Sequence, residues 1–403
     1  MTKLRSWLAL LPCVLAIMAA ANLQYTWTLF ALPLKETLGA KLSAVQLAFT
    51  LYIVAQTWLA PFEGGLADRF APRPLAMIGG VLVGVNWIGA GCATTLPALY
   101  ASCVVGGFGC GLVMAAGGRI ALSRFPGQRG LAIGIVSMAY GLGPVLAVIP
   151  IQHTIARAGY HHAFVFWGFV QAAAVVAAAL FLSDVPKTEA SSAASPSDGK
   201  TPFEMIRTRA FALMYAIMFL VATGGLLITA QLAPMAGSFG LSNTTLVFGT
   251  GAITLAIMLD RITNAAARPF WGTVSDRLGR CETMALAFAC EAAAIGLLAT
   301  TAGHPLRFVI LSGIAFFAWG EIFSLFPALV ADVFGDRYAM TNYGALFTAK
   351  GAASLFAGWG AARLTELSIP WVSVLRGCAA CDALAAVLAF FLLKSTLAKD
   401  NPS

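Results

Sequence analysis

Stretches apolar enough and long enough to cross a bilayer recur along the whole chain, and nothing else in the sequence restricts the fold as much. Bounded by Pro, Gly or charge, they fall at residues 7–33, 43–66, 74–94, 98–122, 130–152, 162–183, 209–235, 243–274, 282–302, 306–331, 342–363 and 370–393. A helix crosses the hydrocarbon core with about 20 apolar residues, so the pattern predicts an all-α membrane protein of twelve transmembrane helices. Twelve spans take up about 240 residues, which in a chain of 403 leaves no room for a large soluble domain. Charged residues make up 10% of the chain, against about a quarter in soluble domains, and a soluble enzyme is excluded. The first stretch reads as a span and not a cleaved leader, because it runs past Ala19, Ala20 and Ala21 through Trp27 and Phe30 to Pro33.

The net charge of +8 does not point to nucleic acid, because the basic residues stand singly between apolar runs. Membrane topology accounts for them. With both termini cytoplasmic, the inside segments hold sixteen Lys and Arg and the outside segments five, namely Lys35, Lys41, Arg157, Arg307 and Arg363. The positive-inside rule then sets the orientation. Eight cysteines lie almost entirely in apolar segments and read as small core residues. Cys378 and Cys381 have the C-x-x-C spacing without a second pair or a nearby His, so no metal is expected. No phosphate-binding loop, H-E-x-x-H or G-x-S-x-G occurs, and no cofactor is expected.

The longest connection contains Ser-Ser-Ala-Ala-Ser-Pro-Ser-Asp-Gly and reads as a flexible cytoplasmic linker. It divides the chain into an N-terminal unit, residues 1–183, a linker, 184–208, and a C-terminal unit, 209–403. The two units echo each other. Gly64-Gly-Leu-Ala-Asp68-Arg69 recurs 208 residues later within Gly272-Thr-Val-Ser-Asp276-Arg277-Leu-Gly279-Arg280, and Pro33 and Gly39 recur 201 residues later as Pro234 and Gly240. Two pseudo-symmetric six-helix halves are a common transporter architecture, with the substrate site between them near the midplane.

The repeated Gly-x-x-x-Asp-Arg loop resembles the signature of the major facilitator superfamily. That resemblance implies the major facilitator fold and a cytoplasmic gate of Asp68, Arg69 and Arg73 in one half and Asp276, Arg277 and Arg280 in the other. The first copy departs from the pattern at Ala71 and Pro72.

Ionisable residues inside spans are costly and mark function by default. Arg268 lies eight residues before Asp276, and Lys350 eight residues after Asn342, so two cations reach a similar depth, about 12 Å, from two helices. An Arg offers a planar fork to a carboxylate and a Lys a compact charge, a combination suited to a small organic anion. The alternative is a pair neutralised by buried Glu321 or Asp260. Arg261, seven residues before Arg268, falls on nearly the same helical face and could serve as an outer waystation. Glu321 is two residues from Trp319, about 200° round an α-helix, and should face away if Trp319 faces the pocket. Glu291 and Asp382 read as partners in helix-to-helix pairing.

Ala-Ala-Arg268-Pro-Phe-Trp-Gly-Thr-Val-Ser-Asp, Thr-Ala-Lys350-Gly-Ala-Ala-Ser-Leu-Phe, Phe-Phe-Ala-Trp319-Gly and Gln24-Tyr25-Thr-Trp-Thr-Leu resemble the oxalate:formate antiporter family within that superfamily. The resemblance implies that Arg268 and Lys350 bind carboxylates and that Gln24, Tyr25, Gln46, Tyr140 and Trp319 line a polar-aromatic pocket. It also implies tyrosines where this chain has Met114 and Phe323, which takes two hydroxyl donors from the substrate. Asp260, Arg261 and Glu321 are additions to the family's pattern, with a coupling or pathway role.

The expectation is a monomeric, multi-pass carrier of a bacterial inner membrane, whose partners are the lipid bilayer and a small carboxylate anion. Two like charges left bare resist occlusion and a bound anion neutralises them, which favours exchange of one anion for another. An Arg-Pro in span eight with an upstream Asp also resembles the monocarboxylate porters, so the second expectation is proton-coupled symport with Asp260 carrying the proton. A receptor or sensor on the same scaffold is the third.

Overall fold

A computed structural model describes residues 7–8, 10–124, 129–182, 199–242, 244–246, 251–335 and 338–400. Most of the expected linker, and with it Lys187, lies outside those residues. The described residues are almost wholly helical, because a backbone without water must satisfy its own hydrogen bonds and apolar helices do so within one segment. The helices are α1 Leu11–Ala20, α2 Asn22–Thr37, α3 Leu42–Trp58, α4 Ala60–Arg69, α5 Pro72–Cys92, α6 Leu96–Arg124 and α7 Arg129–Leu180. After the linker come α8 Arg209–Ser238, α9 Ala252–Leu278, α10 Arg280–Leu298, α11 Pro305–Trp319, α12 Leu325–Phe334, α13 Ala339–Ser354, α14 Ala361–Glu366, α15 Trp371–Val387 and α16 Lys394–Asp400.

Local chemistry sets several boundaries. Pro72 and Pro305 open α5 and α11 where a missing N–H costs nothing. Thr201 and Glu204 form a capping box on the one-turn helix Pro202–Met205, and Thr208 caps α8 by accepting from the Phe211 N–H. The long α7 is interrupted at Gly159, whose φ of 80° and ψ of 165° separate two helical pieces.

The repeat at an offset of 201 is a structural one. Helices α2 and α8 each carry an interior Pro, Pro33 and Pro234, and each ends at a left-handed Gly, Gly39 at φ 57° and Gly240 at φ 74°. At both ends the N–H two residues past the cap reaches back to the third-last carbonyl, Ala40 to Lys35 at 3.2 Å and Leu241 to Ala236 at 2.9 Å. These are matching Schellman motifs.

By length and composition, eight described helices could each cross a membrane, or nine if the pair Leu42–Trp58 and Ala60–Ala67, bent by 46°, forms one span. That is fewer than the twelve expected. The shortfall has two visible causes: α7 joins two expected spans across Gly159, and α9 and α13, the helices that carry the buried cations, are not among the eight.

Helix α5 packs on α6 and α7, α1 on α7, and α3 on α6; α8 packs on α13 and α15, α9 on α11, and α10 on α11 and α15. Three seams join these groups, α7 with α9, α3 with α13 and α2 with α8. Leu, Ile and Phe side chains such as Leu146, Phe181 and Phe391 are exposed on the outside, while Gln24, Gln46, Arg261, Arg268, Lys350, Glu291 and Asp382 are buried within. Apolar outside and polar inside is the arrangement a bilayer imposes.

Along the α3 seam, α13 passes into a π-helical segment, Leu355–Gly360, before α14 resumes. The Thr50 hydroxyl of α3 donates to the Ser354 carbonyl at 2.9 Å and accepts from the Trp359 N–H at 3.3 Å. A side chain inserted between backbone groups in this way is a recognised origin of such distortions.

Candidate functional site

The interior polar residues converge on one ring. Arg268 comes from α9 and Lys350 from α13; the guanidinium carbon of Arg268 is 4.5 Å from the centroid of Phe323 and the Lys350 Nζ is 5.5 Å from the same centroid. Phe323 belongs to a short 3-10 turn, Gly320–Phe323, that follows α11 and sets its ring within reach of both cations. Aromatic faces attract cations, and more strongly where water is excluded. Lys350 also stands over Phe347 at 4.9 Å.

Each cation keeps part of its hydrogen-bonding capacity unused. Arg268 donates through Nη2 to Asn264 Oδ1 at 3.3 Å and through Nη1 to the Ser137 carbonyl of α7, and its Nε has no partner. Lys350 Nζ approaches Gln56 Oε1 at 3.5 Å. The ion pairs among the described residues are Arg280 with Asp332, Arg363 with Glu366 and Lys394 with Glu282, none of which involves the buried cations. Asp260 and Glu321 are buried, yet neither carboxylate has a hydrogen-bond partner. The expected alternative, neutralisation of Arg268 and Lys350 by these acids, is therefore absent among the described residues.

From Lys350 a chain of polar groups crosses to the first helices. Gln56 Nε2 donates to the Tyr140 hydroxyl at 2.6 Å, and Tyr140 donates to Gln24 Oε1 at 2.5 Å. Tyr25 meets Tyr140 edge to face with centroids 5.5 Å apart. Gln24, Tyr25 and Tyr140 thus gather with Lys350 through Gln56, a residue the sequence reading did not single out. A second glutamine in an otherwise apolar helix, ten residues after Gln46, was the available signal.

Gln46 and Trp319 stand elsewhere. Gln46 accepts from the Trp27 indole at 2.9 Å and donates to the Ala230 carbonyl at 2.9 Å and Gln231 Oε1 at 3.1 Å. It lies about 15 Å along α3 from Gln56 and links α3 to α8. Trp319 packs edge to face on both Phe316 and Phe323, each at 5.4 Å. Its indole fills a notch in α8 where a Cβ on Gly225 would come within 2.2 Å of the ring. It supports Phe323 from behind. Met114 is half-buried against the core.

The proposed gate residues divide. Asp68, Arg69 and Asp276 lie in helices, and their side chains lie outside those described. Arg73 donates through Nε and Nη2 to the Leu182 carbonyl at 3.2 and 2.9 Å, Arg280 pairs with Asp332 at 3.1 Å, and Arg277 is exposed. Glu291 and Asp382 are buried on the packed helices α10 and α15, close enough for their charges to interact, though their carboxylate oxygens make no hydrogen bond; Asp382 also rests against Gly224.

Residues 13–357 match the family model described as Major Facilitator Superfamily. The chain belongs to the major facilitator superfamily. It is similar to the oxalate:formate antiporter of Oxalobacter formigenes, 35% identical over 391 residues that cover 96% of this chain and 91% of that protein. An uncharacterized MFS-type transporter of Escherichia coli K12, YhjX, is 25% identical over 354 residues, 87% of this chain and 86% of its own. Human monocarboxylate transporter 11 is 26% identical over 233 residues, 56% of this chain and 47% of its own. This major facilitator protein is a multi-pass membrane transporter and not an enzyme.

Proposed function

We propose that this transporter exchanges small carboxylate anions by alternating access between two six-helix halves, with Arg268 and Lys350 as the principal anion ligands. The observation that carries the reading is the placement of both cations, 3% and 1% exposed, against one aromatic ring, with no carboxylate among the described residues paired to either. Two buried like charges without counterions are expensive, and a bound anion removes much of that cost. A loaded carrier can then close and reorient more readily than an empty one, which is the physical basis of exchange. The similarity to an oxalate:formate antiporter supports the substrate class.

In this reading the two units are residues 1–183 and 209–403, joined by the linker 184–208 and crossing a bacterial inner membrane twelve times as a monomer with both termini inside. Asp68, Arg69, Arg73, Asp276, Arg277 and Arg280 form the cytoplasmic gate. Gln24, Tyr25 and Tyr140 line the pocket, Trp319 backs it, and Gln46 joins α3 to α8 on one side of it.

One observation favours a second reading, proton-coupled symport of a monocarboxylate. Asp260 is fully buried with both carboxylate oxygens unpartnered, and a carboxyl in that setting can carry a proton across the membrane. The similarity to monocarboxylate transporter 11 is consistent with it. Counterflow in proteoliposomes with a panel of mono- and dicarboxylates tests the first reading against the second: exchange needs unlabelled anion on the opposite side, whereas symport needs only a proton gradient.

A further inference from the structure

A third cation stands beside the pair, held in a way that a passing contact would not require. The Arg261 guanidinium carbon lies 4.0 Å from the centroid of Tyr25 and 3.9 Å from that of Phe316, so the group is clamped between two rings. Arg261 is 2% exposed, and its Nε and Nη1 have no hydrogen-bond partner. The Tyr25 hydroxyl faces the guanidiniums of Arg261 and Arg268 without meeting hydrogen-bond geometry to either, and Nε of Arg268 has no partner. Buried N–H and O–H groups without partners are rare because each is costly to leave unpaired. Several gathered on one side of a transport site form a ready-made set of donors for an anion.

Asp260, next in sequence, is close enough for its charge to act on Arg261 but accepts no hydrogen bond from it. These groups are linked to the first site: Tyr25 touches Tyr140, and Tyr140 belongs to the polar chain that ends on Lys350. Arg261 and Arg268 are seven residues apart on α9, hence on nearly one face and about 10 Å apart along the axis. The Arg268 and Lys350 charges meet at one ring and can share a single carboxylate. Pinned between its rings, Arg261 cannot swing down to join them.

We propose that Arg261 and Tyr25 form a second carboxylate subsite, so that the preferred substrates are dicarboxylates whose two ends are separated by a short methylene chain. One carboxylate sits between Arg268 and Lys350, and the other accepts from the Arg261 guanidinium and the Tyr25 hydroxyl. Oxalate, whose carboxylates are directly bonded, reaches only one of the two positions. This rests on the carboxylate-carrier reading and narrows its substrate class.

The test is thermal stabilisation of the detergent-solubilised protein by formate, oxalate, butyrate, succinate and glutarate, since a ligand that binds the folded state raises the melting temperature according to its concentration relative to Kd. The expected result is that succinate or glutarate stabilises half-maximally at a concentration at least tenfold below that of butyrate and of oxalate. Arg261→Gln should remove that tenfold advantage and leave butyrate within about twofold of wild type. Tyr25→Phe, which keeps the ring against the guanidinium and removes only the hydroxyl, should lose part of the advantage and serves if Arg261→Gln does not fold. Equal affinity for butyrate and glutarate in the wild type, tightest binding of oxalate, or an equal loss for mono- and dicarboxylates in Arg261→Gln would each overturn the proposal. Failure of every carboxylate to bind would instead overturn the carrier reading on which it rests.

Discussion

Glu366 caps the first turn of α3 across a helix seam: the Ser43 N–H donates to one carboxylate oxygen at 2.8 Å and the Ser43 hydroxyl to the other at 2.9 Å. Arg363 pairs with the same carboxylate at 3.1 Å. A carboxylate at a helix N-terminus meets unpaired N–H groups and the positive end of the helix dipole. The contact fastens the α3 and α14 ends of the bundle together.

Glu366→Gln should loosen this clasp, and acid should do the same to the wild type. Burial raises the Glu366 carboxyl's pKa, but the Ser43 and Arg363 hydrogen bonds outweigh it and hold the group below the ordinary glutamate value. A depressed carboxylate contributes its stabilisation above the ordinary value and loses it as pH falls through the lowered one. Spin labels at Lys41 and Leu367, in a background stripped of accessible cysteines, should report longer distances in the variant at neutral pH and in the wild type only in strong acid. Identical distributions for the two proteins would reject the clasp.

Arg268→Gln and Lys350→Gln should each lower carboxylate transport by at least about tenfold while the protein still reaches the membrane, because a lost charge-assisted contact is worth roughly 1.5–3 kcal/mol. Arg268→Lys should also be poor, since the fork that meets Asn264 and the substrate is lost. Initial uptake normalised to the amount of purified carrier is the readout, and normal rates in either Gln variant would remove that residue from the site.

Exchange predicts that labelled anion leaves vesicles quickly only when unlabelled anion is outside, and that a proton ionophore barely alters the rate for a charge-balanced pair. Asp260→Asn then leaves exchange intact. Substrate-linked proton uptake that vanishes in Asp260→Asn would decide for symport.

Installing Met114→Tyr and Phe323→Tyr together should move preference toward oxalate, because a site that hydrogen-bonds its substrate discriminates more strongly than an apolar wall. The ring at 323 stays beside both cations, so the attraction of its face for them is kept. Competition between oxalate and glutarate in the double variant measures the shift; no change would show that these positions do not set selectivity.

Gly225→Ala should destabilise the protein by about 1–3 kcal/mol through overpacking. The added methyl would stand 2.2 Å from the Trp319 ring, which in turn supports Phe323. Thermal unfolding in detergent checks the stability, and unchanged stability together with unchanged Trp319 fluorescence would show that the indole yields easily.

The cations were legible because charge in an apolar span stands out in a single sequence. Arg268 and Lys350 needed only their distance from the helix ends to be placed at a common depth. The Gln56 contact to Lys350 was not legible, because it joins residues 294 positions apart and a glutamine announces neither direction nor partner. Gln46 shows the converse: its chemistry fits a pocket, yet its amide is spent on Trp27, Ala230 and Gln231. Periodicity also assumed an unbroken α-helix at Glu321, where a 3-10 turn stands. Such a turn advances about 120° per residue, which alters the angle to Trp319 while leaving the two side chains in different surroundings.

The π-helical segment Leu355–Gly360 lies between Lys350 and Glu366, and the Trp359 N–H finds a partner in a hydroxyl from α3. Thr50 thus braces the ladder by bonding both the Ser354 carbonyl and the Trp359 N–H. If α3 withdrew Thr50, both groups would lose that partner in a medium that offers no replacement. A return of the segment to α-helical register would turn everything beyond it by about one residue, or 100°, relative to Lys350. Contact between α3 and the π-helical segment thus bears on how the Glu366 end is oriented relative to Lys350.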